Sequence, residues 1–143
     1  MRFLSPEWVT AMHDATAADP LPPGSSPIVV QHIIGDDGEG PTSSDPVTYA
    51  VVLAAPGEGT GVHRGRHPHP SLTFTSSYAT ARAIASGTSS AQAEFIAGRL
   101  RVGGDVRLLL DRRADLASGT DAFAAVRAGT DFAADEPAAD PTP

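Results

Sequence analysis

Three histidines fall close together at His63, His67 and His69. Imidazole is a common zinc ligand, and three of them around an open coordination position would describe a catalytic metal site. Two features argue against that chemistry here. The spacing does not suit a helical pair, and Pro68 and Pro70 place the segment in an exposed turn with no carboxylate to complete or orient the set. A structural or solvated role is expected, with no metal. His32 is expected on a strand with its polar tip satisfied, and His13 on an exposed helix face. No G-x-S-x-G elbow is present, and the serines fall at caps and in loops where their hydroxyls serve the backbone. Asp105 and Asp121 read as helix caps, and Glu94 as an edge residue between apolar neighbours. Gly57, Gly59 and Gly61 lack the third spacing of a dinucleotide loop and precede no helix. Asp36, Asp37, Glu39 and Asp45 do not match a calcium loop. The sequence therefore predicts no catalytic residue, no cofactor and no enzymatic activity. Arg64 and Arg66, with their histidine neighbours, form the one concentrated basic feature. Such a patch suits an anionic headgroup, phosphate or carboxylate, or else pairs with the surplus acids of a solvated loop.

Composition narrows the field further. Ten basic residues, all arginine, stand against seventeen acids, for a net charge of −7. Nucleic-acid affinity rests on clustered cations, so nucleic acid is excluded as a general partner. The absence of cysteine removes disulfide scaffolds, thiolate metal sites and a cysteine nucleophile together. No apolar run approaches the roughly 18 residues of a membrane span, and no charged-then-apolar leader opens the chain, so a soluble cytoplasmic protein without stable membrane insertion is expected. A chain of 143 residues, 41% of them hydrophobic, is one domain with a compact core.

The elements that must position these residues are readable from periodicity. Ser5-Pro6-Glu7 starts a helix whose Trp8, Ala11, Met12 and Ala15 share one face. Prolines 20, 22, 23 and 27 end it. Strands follow at 28–34, 47–54, around Val62, and at 71–75, with a long loop over 35–46. The pattern then turns helical: Ser76 or Ser77 caps a helix stopped by Gly87, and Ser89-Ser90-Ala91-Gln92 is a capping box for a second one ending at Gly98. Residues 99–102 form a fifth strand with Leu100 and Val102 inward. Asp105 caps a helix with Val106, Leu109, Leu110 and Arg113 on one stripe, and Thr120-Asp121 starts a last helix carrying Phe123 and Val126. Three of the strand links are short enough for hairpins. The fold class is thus α+β, a five-stranded, mainly antiparallel sheet covered by helices on one face. Residues 1–129 form the domain, and 130–143, acidic and rich in Pro and Ala, a disordered tail.

From Ser71 onward the chain resembles a known family. Leu72-Thr73-Phe74-Thr75, Tyr78-Ala79-Thr80, Ile84-Ala85-Ser86-Gly87, Ser90-Ala91-Gln92 and Phe95-Ile96-Ala97-Gly98-Arg99-Leu100-Arg101-Val102-Gly103-Gly104-Asp105, before Val106-Arg107-Leu108-Leu109-Leu110, are similar to the SCP2 sterol-carrier (sterol-binding domain) family. The likeness is to a small, stand-alone bacterial member. It implies an apolar tunnel between sheet and helices that takes a sterol, fatty acid, fatty acyl-CoA or other lipid. Two departures bear on the pocket rim: His67-Pro68-His69-Pro70 replaces polar, often acidic residues, and Phe95-Ile96 replaces a frequent aromatic or Met pair. The apolar faces expected to converge on the ligand are those of Val51, Leu53, Leu72, Phe74, Phe95, Ile96, Leu100, Leu109 and Phe123, with Ala97 as a small wall residue and Gln92 placed to hold a headgroup. Two functions follow: a non-catalytic lipid-binding domain, or an accessory or oligomerisation module acting through a partner enzyme or as a homodimer, its tunnel vestigial.

Overall fold

The structure is a computed structural model that describes residues 1–35 and 47–132, apart from the side chains of residues 117–123. The expected loop and its four acids at 36–45, the Phe123 side chain and residues 133–143 lie outside the described residues.

Helix α1 (Pro6–Ala17) starts as the sequence predicts, with the Ser5 hydroxyl accepting the Trp8 N–H at 3.2 Å. Its apolar face buries Trp8 and Met12 completely, and Ala11 and Ala15 pack beside them. The sheet comprises β1 (Ile28–Gly35), β2 (Val47–Leu53), β3 (Gly61–Arg64), β4 (Leu72–Ser77) and β5 (Leu100–Gly104). Their spatial order is β3-β2-β1-β4-β5. Three pairings are antiparallel and β1–β4 is parallel, so the sheet is mixed but mostly antiparallel.

The parallel pair overturns one expected hairpin. Instead of turning back from β3, the chain crosses behind β2 and β1 to place β4 beside β1. The segment read as a histidine-rich turn is this crossing. Gln31, buried on the back face, holds it: its amide donates to the Gly65 carbonyl at 3.0 Å and to the Tyr49 carbonyl at 3.1 Å, and its oxygen accepts the His67 N–H at 2.7 Å. A buried amide without those partners would cost about 1–3 kcal/mol, so the crossing and Gln31 stabilise each other.

On the front face the register aligns Val30, His32 and Ile34 of β1 with Val51, Tyr49 and Val47 of β2 and with Leu72, Phe74 and Ser76 of β4. The helices gather there. Helix α2 (Tyr78–Ser86) follows β4 directly, capped by the Ser77 hydroxyl on the Thr80 N–H. Helix α3 (Ala91–Ile96) is a short piece whose N-cap is Ser90, not Ser89. The run from Gly98 to Asp105 then explains itself: Leu100 turns inward, and Gly104, at φ +89°, comes so near Ser71 that a side chain would meet the Ser71 carbonyl oxygen.

Two helix expectations need correction. The stripe after Asp105 yields only one turn, α4 (Leu108–Asp111), without a side-chain cap, and Val106 and Leu110 face solvent. The last helix does not begin at Thr120-Asp121; α5 runs from Arg113 to Arg127, so Asp121 is an interior position. Leu116 near its start and Val126 near its end both pack on the core, and that tertiary anchoring carries the helix through the weak formers Ser118-Gly119. The described chain also continues beyond the expected boundary at 129: Asp131 bridges Arg2, and the Phe132 ring packs 5.3 Å from Phe3.

Candidate functional site

Between the front face of the sheet and the helices lies a cavity of about 410 Å³. Its floor alternates along the strands as a pleat requires: Val30, His32 and Ile34 from β1, Tyr49, Val51 and Leu53 from β2, Phe74 and Ser76 from β4, and Leu100 from β5. Its roof is made of Ala81, Ile84 and Ala85 from α2, Leu109 from α4, and Leu116 and Arg127 from α5, with Ser89, Ser90 and Ala91 at the start of α3 and Phe3 from the N-terminal turn. Small alanines on α2 are what leave room beneath it. The volume falls in the range of small-molecule sites, about 300–1,000 Å³, and the walls are mostly apolar.

The polar exceptions are few. His32 stacks on Tyr49, with ring centroids 4.5 Å apart and planes 9° apart, and meets Phe74 edge-on at 5.5 Å. Burial between those rings pushes its imidazole down from 6.5 to about 4, so it is neutral at pH 7. The same burial raises the Tyr49 phenol above its ordinary value, and it stays protonated. At the roof, Arg127 donates from Nε to the Ala85 carbonyl at 2.8 Å.

Of the residues expected at the ligand, Val51, Leu53, Phe74, Leu100 and Leu109 line this cavity. Leu72 shares their sheet face but is fully enclosed in the core. Gln92 and Ala97 are exposed, and Phe95 and Ile96 are 51% and 75% exposed. The cause is Glu94. Its carboxylate is 5% exposed and accepts from Arg99 Nε at 2.7 Å, from Arg99 Nη2 at 3.1 Å and from the Ser89 hydroxyl at 2.7 Å. With Glu94 drawn inward, the next two residues are rotated about 100° and 200° around the helix, toward solvent. The Arg99 guanidinium, then the Ser89 hydroxyl, hold the Glu94 carboxyl well below the usual carboxylate range. Glu94 is therefore the ionic pin joining α3 to β5, not the edge residue its neighbours suggested.

Outside the cavity, the His13 and His67 side chains bond to backbone. His13, expected to be exposed, docks on the sheet edge, where its Nδ1 accepts the Val62 N–H at 3.0 Å and its ring meets that of His63 at 5.5 Å. His67 Nδ1 accepts the His69 N–H at 3.0 Å. Among the described residues no group of three or more His, Asp or Glu side chains is arranged to hold a metal ion.

Sequence reasoning missed Val30 and Ile34 because β1 is apolar on both faces, which hides its parity, and missed the α2 residues because alanine marks a cavity only by what it omits. Gln31, the one amide in β1, was the available signal: it fixes the back face and so assigns Val30, His32 and Ile34 to the front.

The site is thus an apolar cavity between a mixed five-stranded sheet and a roof of short helices. No protein-family model matches the sequence, and no curated protein matches it. Solved structures do match, and they are SCP2 sterol carrier proteins and SCP2-like domains; the chain has their fold. "Crystal structure of sterol carrier protein 2" aligns with a TM-score of 0.59 at 14% identity over 88% of this chain and 98% of that one. A possible sterol carrier protein from Thermus thermophilus aligns with a TM-score of 0.58 at 16% identity, over 88% and 90%. The palmitated SCP2L2 of Aedes aegypti aligns with a TM-score of 0.56 at 21% identity, over 80% and 94%.

Proposed function

We propose that this chain is a non-catalytic lipid carrier of the cytoplasm that holds an apolar chain in the cavity between sheet and helices. The cavity carries the reading: about 410 Å³ lined mostly by Val, Leu, Ile, Ala and aromatic side chains, a volume that an ordinary core would have filled. Palmitate on a protein of the same fold supports the choice of a fatty chain. Each methylene withdrawn from water contributes about 0.8 kcal/mol, so a long chain reaches micromolar affinity after the costs of association. No catalytic pair is required of the site. Native mass spectrometry of freshly purified protein tests the proposal, followed by delipidation and titration with dodecanoate. Co-purifying lipid or micromolar binding is expected; a clean apo mass and no binding refute it.

One observation favours a second reading. Phe95, Ile96, Val106 and Leu110 are at least about half exposed on α3 and around α4, which suits a module covered by a partner enzyme or a second copy. In that case the same spectra contain a stable oligomer and no lipid.

A further inference from the structure

The geometry points to Arg127 as a specificity-determining residue that makes the cavity prefer amphiphiles with one anionic head, a carboxylate or phosphate monoester, over neutral lipids of equal chain length. This rests on the lipid-carrier reading and names the ligand class of that same site. Among the described residues lining the cavity, Arg127 is the one Arg, Asp or Glu. His32, the other titratable base there, is neutral at pH 7 because of its burial. Among the described residues no carboxylate pairs with Arg127; its bond is from Nε to the Ala85 carbonyl at 2.8 Å. That bond orients the guanidinium and leaves the two Nη groups without a carboxylate among the described residues.

The helix-ending Gly87 makes the position possible. It takes φ +85° to stop α2, and a side chain there would come within 3.1 Å of Arg127 Nη1. The guanidinium thus lies against bare backbone at the partly buried edge of an apolar chamber. A cation in that setting, whose two Nη groups meet no carboxylate among the described residues, is stabilised by an anion that accepts two parallel hydrogen bonds, which a hydroxyl or ester head cannot match in charge. The competing role is a clamp between α5 and α2, made through Ala85 alone. A clamp affects stability but gives no preference among ligand heads.

The test uses the delipidated full chain at pH 7.5, titrated calorimetrically with dodecanoate, dodecyl phosphate and 1-dodecanol. The wild type is expected to bind one of the two anions about tenfold to a hundredfold more tightly than the alcohol, the range of a charge-assisted hydrogen bond. Arg127→Gln should bring the anion and 1-dodecanol affinities to within about twofold of each other, and Arg127→Lys should keep most of the wild-type ratio. Tighter binding of dodecyl phosphate than of dodecanoate assigns a phosphate head; the reverse assigns a carboxylate. Equal wild-type affinities for anion and alcohol, or a preference that survives in Arg127→Gln, overturn the inference and leave the lipid-carrier reading standing. Failure of all three ligands to bind removes both. If Arg127→Gln does not fold, the wild-type ratio and the lysine variant decide.

Discussion

His32 makes the acid stability of this protein a direct readout of how dry the cavity floor is. In the unfolded chain its imidazole titrates at its ordinary value of about 6.5, and in the folded protein at about 4. Between those values the unfolded state binds more protons than the folded one, so stability rises with pH across the window and is lost as pH falls through it. A tenfold change in proton affinity is worth about 1.4 kcal/mol, which makes the loss about 2 kcal/mol between pH 7 and pH 5 and about 3 kcal/mol by pH 4. That is a large fraction of the total stability of an ordinary small domain. The assay is urea unfolding at half-unit pH steps on the wild type and on His32→Phe, which keeps a flat ring over Tyr49 but cannot titrate. The difference between the two proteins is the quantity to read, because every other group is common to both. The wild type should lose about 2 kcal/mol more than the variant by pH 5. Parallel curves, or a His32 ring resonance titrating near pH 6.5, would show that water reaches the floor and refute the reasoning.

Three further outcomes are expected. Ala81→Trp, on the cavity face of α2, should block dodecanoate binding with an unchanged or raised melting temperature, whereas a lowered one with binding retained means that no open space exists there. Arg99→Ala strands the Glu94 carboxylate and should lower the melting temperature at pH 7; because hydrogen bonding depresses that carboxyl, the difference from wild type should shrink as pH falls below about 4.3, where the unfolded carboxyl protonates. Truncation after Phe132 should leave the thermal melt unchanged, since we propose that residues 133–143 add no stability, but truncation after Gly129 should cost about 1 kcal/mol, because it removes the Phe3–Phe132 ring pair and the bridge to Arg2.

The elements legible in the sequence were those whose signals are local. Ser5 and Ser77 cap helices through side-chain acceptors, and a hydroxyl before a periodic apolar run carries that information by itself. The front-face residues of β2 and β4 alternate with smaller or polar neighbours, which is why Val51, Leu53 and Phe74 could be placed at the cavity. Non-local decisions were hidden. Nothing within the segment 63–70 states that it crosses the sheet, because its partner is Gln31, more than thirty positions away, and the bonds are to backbone atoms. The extension of α5 back to Arg113 was hidden in the same way, by packing of Leu116 on a core assembled from distant strands.

The Gly98-to-Asp105 run carries the likeness to sterol carriers, yet most of its residues close the sheet and do not face the ligand space. Arg99 ties α3 to β5, Gly104 lets the chain pass Ser71, and Asp105 donates its N–H to the Ser71 carbonyl at 2.9 Å; Leu100 alone reaches the cavity. A motif of that kind specifies where the roof meets the floor. What fills the space between them is set instead by residues that no spacing rule selects: alanines on α2 that keep it open, a histidine kept neutral by its neighbours' rings, and an arginine at the end of α5 anchored by one backbone carbonyl. With the cavity as the proposed lipid site, fold and ligand choice rest on nearly separate sets of side chains. That separation is why substitutions at Arg127, His32 or Ala81 can change what the cavity accepts while the frame that defines it stays intact.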